Sequence, residues 1–527
     1  MTHRTLALAS ALTLALTLPA PPAEHIHSDV NARIRQEGLE RSQVMQTAQV
    51  LTDLYGPRLT GSPSLEAAGR WAVGRMEEWG LTSGRMEPWT WGHPGWTNER
   101  ATGAILSPVK GALTFEALAW TPGTNGVETG RAFHLVPPAR PTEATLTAYL
   151  ESIADNVRGA MVLVGPHRPV PVNFQPAEKR RNDEGLKRAF DPEAIPAPRG
   201  PTPPRPPAAT TGGLSATEVH RRIDRFLLQQ GARVRINDAA RPHGQVIAYD
   251  NPSYDISTVV PTIVMRNEDY GRITRILSTG TRVDLQFEIV NRLHPEGATA
   301  YNATAELPGT DLAAEVVMLG GHLDSWHSAT GATDNAIGCA IMMEAVRILK
   351  AVRAQPRRTI RVALWSGEEQ GLLGSKAYVA QHFGTFEDQE PGFASLVAYL
   401  NLDGGTGRIR GASVFGPPAA AQVLRGILAP FEDIGVIGAA ATASRGVGGS
   451  DHASFSAAGL SGINFMLDPI EYSSHTHHTN LDTFERLVEG DARQSAVVVA
   501  SAVYHLAMRD EPLPRFSKAD MPAARGR

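Results

Sequence analysis

The spacing of apolar positions changes along the chain. LYGPRLTGSPSLEAAGRWAVGRMEEWGL (54–81) reads as a turn followed by a helix. Ser62 is placed to cap that helix, Pro63 takes the first helical position where its missing N–H costs nothing, and Gly80 stops it. The middle third carries short strand-like runs: VRGAMVLVG (157–165), ARVRIND (232–238), VVPTIVM (259–265) and VDLQFEIV (283–290). Between them lies DPEAIPAPRGPTPPRPP (191–207), whose eight prolines forbid helix and central strand and predict a long surface loop. From residue 300 the pattern becomes strand, helix, strand, helix. EVVMLGGH (315–322), TIRVALWSG (359–367), LVAYLNLD (396–403) and SGINFML (461–467) suit buried strands. DNAIGCAIMMEAVRILKAV (334–352) is long enough for a helix and nearly all apolar in its first half. The pattern predicts an α/β fold with a mixed, largely parallel central sheet flanked by helices, interrupted by a separate β-rich module over 126–290. No internal repeat of fixed period is visible.

Length and composition narrow the class. A chain of 527 residues is too long for one small core. With 42% hydrophobic and 20% charged residues it has an ordinary globular composition. A formal charge of -4 and a pI near 6.5 argue against a nucleic-acid binder, which would carry a basic face. Arg4, the uncharged run TLALASALTLALTL (5–18) and the small residues of PAPPA (19–23) read as a signal peptide over 1–23, and so as export to the periplasm or the medium. The apolar run is shorter than the roughly 20 residues of a membrane helix, so no span is expected once the signal is removed. Cys339 is the single cysteine, within an apolar helix-like run, and reads as a buried structural thiol.

In open α/β sheets, ligands gather where strands end. The strand-end segments here are GGHLD with His322 and Asp324, SGEEQG with Glu368 and Glu369, and NLDGG with Asp403. GATDNAIG places Asp334 at the head of the buried helix, and SSHTHHTNLDTF adds His475, His477 and His478 after the last strand. Each piece alone has a plainer reading: a surface histidine, a solvated acid pair, a helix cap or a turn. Their shared edge changes that reading, because crowded carboxylates repel unless a cation relieves them. Imidazole and carboxylate without thiolate suit zinc, with manganese or cobalt as alternatives. Spacing alone leaves open which of the three histidines takes part.

GGHLDSWHSATGATDNAIG, RTIRVALWSGEEQGLLGSKAY, YLNLDGG, GGSDHASF and HHTNLDT occur in this order. Together they resemble the co-catalytic zinc exopeptidases, a family of leucyl aminopeptidases, glutamate carboxypeptidase and glutaminyl cyclase. The resemblance covers about 54–508 apart from the middle module, and is strongest to the family's secreted dipeptidases. It implies two zinc ions per chain, His322 and Asp403 on one, Glu369 and His478 on the other, and Asp334 bridging both. In this family the bond after the bridging residue, here Asp334–Asn335, is often cis. Glu368 is implied as the general base acting on a metal-bridging water, and Asp324 as hydrogen-bonding the second ring nitrogen of His322. The family pattern, a His followed by Thr and by Asp four residues on, selects His478 with Thr479 and Asp482, and leaves His475 and His477 as loop or pocket residues. Asp482 also reads as a helix cap paired with Glu485. Ser450 and Asp451 are expected to line the substrate pocket.

Pattern and resemblance together give a signal peptide (1–23), a peptidase domain in two parts (24–125 and 291–512), an inserted protease-associated-like domain (126–290) and a flexible tail (513–527). The implied activity is hydrolysis of dipeptides or peptide N-termini by an exported enzyme. Small peptides are its partners, with no nucleic acid, and a homodimer is the assembly relatives often adopt. The rival readings are carboxypeptidase action, acyl transfer of the glutaminyl cyclase type with one zinc, and a non-catalytic receptor-type binding protein. All five ligand positions and the base are filled here, which favours the two-metal hydrolase.

Overall fold

The computed structural model describes residues 24–192, 213–446 and 448–524. The expected signal peptide and most of the proline-rich stretch lie outside the described residues.

Two mixed sheets of eight strands each organise the chain. The first comprises β1 (Thr82–Thr90), β2 (Thr299–Leu307), β3 (Leu312–His322), β4 (Arg358–Trp365), β5 (Leu396–Asn401), β6 (Ile409–Phe415), β7 (Gly438–Thr442) and β8 (Gly462–Leu467). Their order is β1-β2-β4-β3-β5-β8-β6-β7. The inner four, β4-β3-β5-β8, run parallel. The four apolar runs after residue 300 are these strands. They read as continuous apolar runs because both sheet faces are covered. Val317, Leu319, Ile360 and Val362 join the core under the helices Pro63–Glu78, Ile337–Ala351 and Glu489–Met508. Their neighbours Val316, Met318, Ala363 and Trp365 join a second core on the opposite face with Tyr378 and Phe455. β3 and β4 approach closely at Gly320, where a Cβ would lie 1.8 Å from the Ala363 carbonyl oxygen.

The helix Pro63–Glu78 starts as expected, with Ser62 Oγ accepting from the Leu65 N–H at 3.3 Å. The helix Ile337–Ala351 starts three residues later than the apolar pattern suggests. Asp334 and Asn335 have non-helical backbone angles and are joined by a cis peptide bond. Asn335 Nδ2 donates to the Leu402 carbonyl at 2.9 Å, which ties this break to the end of β5.

The second sheet contains the four β-runs of the middle third as Met161–Val164, Val234–Asp238, Thr262–Met265 and Asp284–His294. It differs from the β-rich module expected at 126–290 in two ways. It also takes in Gly95–Ser107, which pairs antiparallel with Asp284–His294, a partner almost two hundred residues away that no local pattern can announce. Its parallel strands are linked by helices such as Glu143–Val157 and Ala216–Gln229, so the unit is mixed α/β. Among the described residues, no helix is long and apolar enough to cross a membrane.

Candidate metal centre

The parallel strands β3, β4, β5 and β8 deliver their C-terminal ends to one edge. His322 is the last residue of β3 and is fully buried. Its Nδ1–H donates to the main-chain carbonyl of Asp324 at 2.9 Å, which leaves Nε2 with a free lone pair. That Nε2 lies 3.2 Å from Asp334 Oδ1 and 3.6 Å from Asp403 Oδ2. The other oxygen of Asp334, Oδ2, lies 3.2 Å from His478 Nε2, and Glu369 Oε2 lies 2.9 Å from that same nitrogen. Asp334 thus stands between two pairs, each one imidazole and one carboxylate.

His322 Nε2, Asp334 Oδ2, Glu369 Oε1 and Asp403 Oδ1 are all buried without a hydrogen-bond partner. Unpaired buried acceptors are costly. One ligand atom each from His322, Asp334 and Glu369 falls within 4.8 Å of the others. These nitrogen and oxygen atoms converge on one point, and such a donor set fits zinc.

The carboxyls respond to this crowding. Burial pushes Glu368 well above the usual range, and Asp403, Asp451 and Glu369 add to it while His322 opposes. Glu369 is raised by burial and then by Asp334. For Asp334, burial is outweighed by the hydrogen bond to His322 and by the charges of His322, His478 and His477, which hold it well below the usual range.

Asp324 supports the site differently from expectation. Its Oδ1 is 3.7 Å from His322 Nδ1, and the carbonyl of the same residue takes that bond instead. The carboxylate accepts from the N–H groups of Glu368 and Glu369, each at 3.2 Å, and from Thr60 Oγ1 at 3.2 Å. It therefore fixes the turn after β4. Asp482 also departs from expectation: it caps no helix of its own. Its two oxygens accept from the N–H of Thr333 at 2.5 Å and of Asp334 at 3.1 Å, so it holds the backbone that aims Asp334. A short 3-10 turn follows at Phe484–Arg486 behind Thr483, and the α-helix starts only at Glu489.

The three histidines separate. His475 turns away, with Nδ1 2.9 Å from Ser474 Oγ and its ring stacked on His243. His478 reaches the centre. His477 stacks on His478 at 3.7 Å and puts Nε2 4.0 Å from Asp334 Oδ2, with its side chain 45% exposed. It lies nearer the centre than a loop residue need. Ser450 and Asp451 are both buried, and Ser450 Oγ accepts from Asn401 Nδ2 at 3.1 Å. Neither lines the small cavity that opens on Asp334, Glu369 and His478.

Other residues of the site have no motif to mark them. Arg58 is fully buried and donates to the carbonyls of Leu323, Leu51, Thr330 and Gly331 at 2.7–2.9 Å, tying down the loop between His322 and Asp334. Tyr249, from the second sheet's unit, places Oη 3.1 Å from His478 Nδ1. Its only signal in the sequence is an aromatic residue in a polar loop.

Residues 302–503 match the model of peptidase family M28, a span that holds His322, Asp334, Glu368, Glu369, Asp403 and His478. The chain is similar to carboxypeptidase Q from Homo sapiens, 24% identical over 482 residues that cover 91% of this chain and 88% of that protein. Its fold is similar to that of a peptidase M28 precursor from Shewanella amazonensis, with TM-score 0.64, 23% identity and coverage of 93% of this chain and 99% of that one. It is also similar to that of a zinc aminopeptidase from Bacillus subtilis, with TM-score 0.53, 17% identity and coverage of 91% and 97%.

Proposed function

We propose that this chain, a zinc-dependent peptidase with the family M28 domain over 302–503, is an exported two-zinc exopeptidase that cleaves dipeptides or the first bond of short peptides. The observation that carries the reading is Asp334, whose two oxygens each face a different histidine at 3.2 Å. In this reading His322 and Asp403 would hold one zinc and Glu369 and His478 the other, with Asp334 available to both.

Zinc at such a centre supplies Lewis acidity toward the scissile carbonyl and makes water easier to deprotonate. Glu368 is the proton carrier. Burial and the neighbouring acids Asp403, Asp451 and Glu369 raise its proton affinity, which suits a carboxylate that accepts a proton from the attacking water and returns it to the leaving amine. Asp324 holds Glu368 in place through its main-chain N–H. The apolar run at 5–18 supports export.

The test is the zinc-loaded enzyme on dipeptides, aminoacyl amides and N-acetylated peptides. Chelator-sensitive hydrolysis of substrates with a free amine, with N-acetylated peptides left intact, is expected. Release of C-terminal residues from N-acetylated peptides would instead establish carboxypeptidase action. Pyroglutamate formation from N-terminal Gln without hydrolysis would establish acyl transfer.

A further inference from the structure

The backbone that carries His475, His477 and His478 is held from two elements. Thr333 Oγ1, beside Asp334, donates to Thr476 Oγ1 at 2.8 Å. A loop of the second sheet's unit, residues 240–250, follows the strand Val234–Asp238 and is fastened along the same segment. Gln245 Nε2 donates to the Ser474 carbonyl at 2.9 Å, and the Val246 N–H donates to Asn480 Oδ1 at 2.8 Å. The Asn480 N–H answers with a bond to the Val246 carbonyl at 3.0 Å.

Two of the three rings on this backbone are committed. His475 Nδ1 lies 2.9 Å from Ser474 Oγ, with its ring stacked on His243, and His478 Nδ1 lies 3.1 Å from Tyr249 Oη. The His477 ring makes no hydrogen bond among the described residues. It nonetheless lies over the centre. Neighbouring side chains of an extended chain point to opposite faces. Here His478 is left-handed, with φ 61°, and the two adjacent rings lie on each other, their centroids 3.7 Å apart. One ligand atom each from His477, His478 and Asp334 falls within 4.8 Å of the others.

Distance separates a resting ligand from a passing one. Zinc bonds of about 2.0–2.1 Å put two donors about 3.3 Å apart at a tetrahedral ion, and about 4.1 Å apart only when they face each other across it. His478 Nε2, 3.2 Å from Asp334 Oδ2, fits the first spacing. His477 Nε2, 4.0 Å from the same oxygen, does not. Exposure ranks these groups in the same order. The Asp334 side chain is 4% exposed, His478 19% and His477 45%. His322, on the other side of Asp334, is 1% exposed. Water therefore reaches the centre's imidazoles first at His477.

We propose that His477 is the entry ligand of the centre: it takes zinc from water, passes it to Asp334 and His478, and receives it again on release. The proposal rests on the zinc reading of the centre given above. An ion bound for buried donors has to shed its water in steps, and a half-exposed imidazole within reach of Asp334 replaces one water before the buried groups are met. A ligand used only in transit changes entry and release by the same factor and leaves the equilibrium where it was.

Rates decide this without turnover. Stopped-flow mixing of the zinc-free full chain with zinc, followed by an indicator dye, gives entry. Mixing the loaded chain with a chelator, at concentrations where the rate has levelled off, gives release. His477→Ala should slow both by about 10-fold, with a zinc Kd within about 3-fold of wild type. His475→Ala, whose ring is turned away, should keep both rates. Unchanged rates in His477→Ala, or equal slowing in His475→Ala, would overturn the proposal. So would faster release with a Kd weakened at least about 10-fold, the mark of a resting ligand. Zinc content of the wild-type chain tests the two-zinc reading separately: one ion per chain would overturn that reading, while the rates still decide the role of His477.

Discussion

Glu368 and Glu369 are adjacent in sequence, yet only Glu369 reaches a histidine, at 2.9 Å from His478. Their roles should separate on mutation. Glu368→Gln is expected to keep its zinc, measured by elemental analysis, while kcat on a dipeptide falls about 10^2- to 10^4-fold; zinc lost in step with activity would make Glu368 a ligand instead. His478→Ala should lose zinc and His475→Ala should keep it. His477→Ala should also keep most of its zinc, because its half-exposed ring sits farther from Asp334. A His477→Ala protein as depleted as His478→Ala would sink that ranking. Away from the centre, Glu116 offers a test by pH. Burial raises its carboxyl to about 8, above its ordinary 4.5. The unfolded chain therefore ionises first, and folding stability falls as pH rises from about 4.5 toward 8. Glu116→Gln should match wild type in melting temperature at pH 4.5 and exceed it by about 2 °C or more at pH 8.5. At this scale the candidate ligands were legible because each sits in a short polar motif at or after a strand end, although picking His478 from its neighbours took the family pattern. The residues that aim them were not. Tyr249 lies 229 positions from His478, and the Asp482 carboxylate reads like any helix cap until Thr333 and Asp334 are seen against it.

The four inner strands were readable because burial on two faces writes an unbroken apolar run, and the helix after β3 because all its residues from Ile337 to Leu349 are buried. Its first turn was not readable, since the break at Asp334 and Asn335 serves the site and violates the pattern that identifies the helix. Gly331 shows how tightly this break is made. It is left-handed, with φ 62°, and a Cβ there would lie 2.3 Å from Ser325 Cβ. Gly331→Ala should lower both zinc occupancy and melting temperature, because strain at this turn moves Asp334 off its target. Normal zinc content in that variant would show that the loop adapts without moving the ligand. The helices of the second unit escaped notice for another reason. Ala216–Gln229 buries only Val219, Ile223, Phe226 and Leu227, a narrow stripe among charged residues beside more conspicuous β-runs.

Across the whole molecule the two sheets are joined by more than the chain passing between them. Besides the 240–250 loop, a segment before the proline-rich stretch crosses to the first sheet's far edge. There the Arg181 N–H donates to Asp468 at 2.9 Å, and Asp183 pairs with Arg410. Asp468 lies just past β8, so this contact braces the start of the segment that ends in His478. Packing so many acids at one edge makes the fold lean on its cations. Zinc at a hundredfold excess over its Kd should stabilise the chain by about 2.7 kcal/mol. Chelation should lower the melting temperature, and an unchanged melt would mean the acids are relieved in another way. The same edge carries the only cysteine. Cys339 is fully buried, with its Sγ–H donating to the His322 carbonyl at 2.9 Å. A thiol reagent can reach it only when the helix and the His322 strand end part. Its labelling rate is therefore a clock on opening of the metal edge, readable in the unmodified chain without any added probe: silent in the zinc-loaded state, slow after chelation and complete at one equivalent on unfolding.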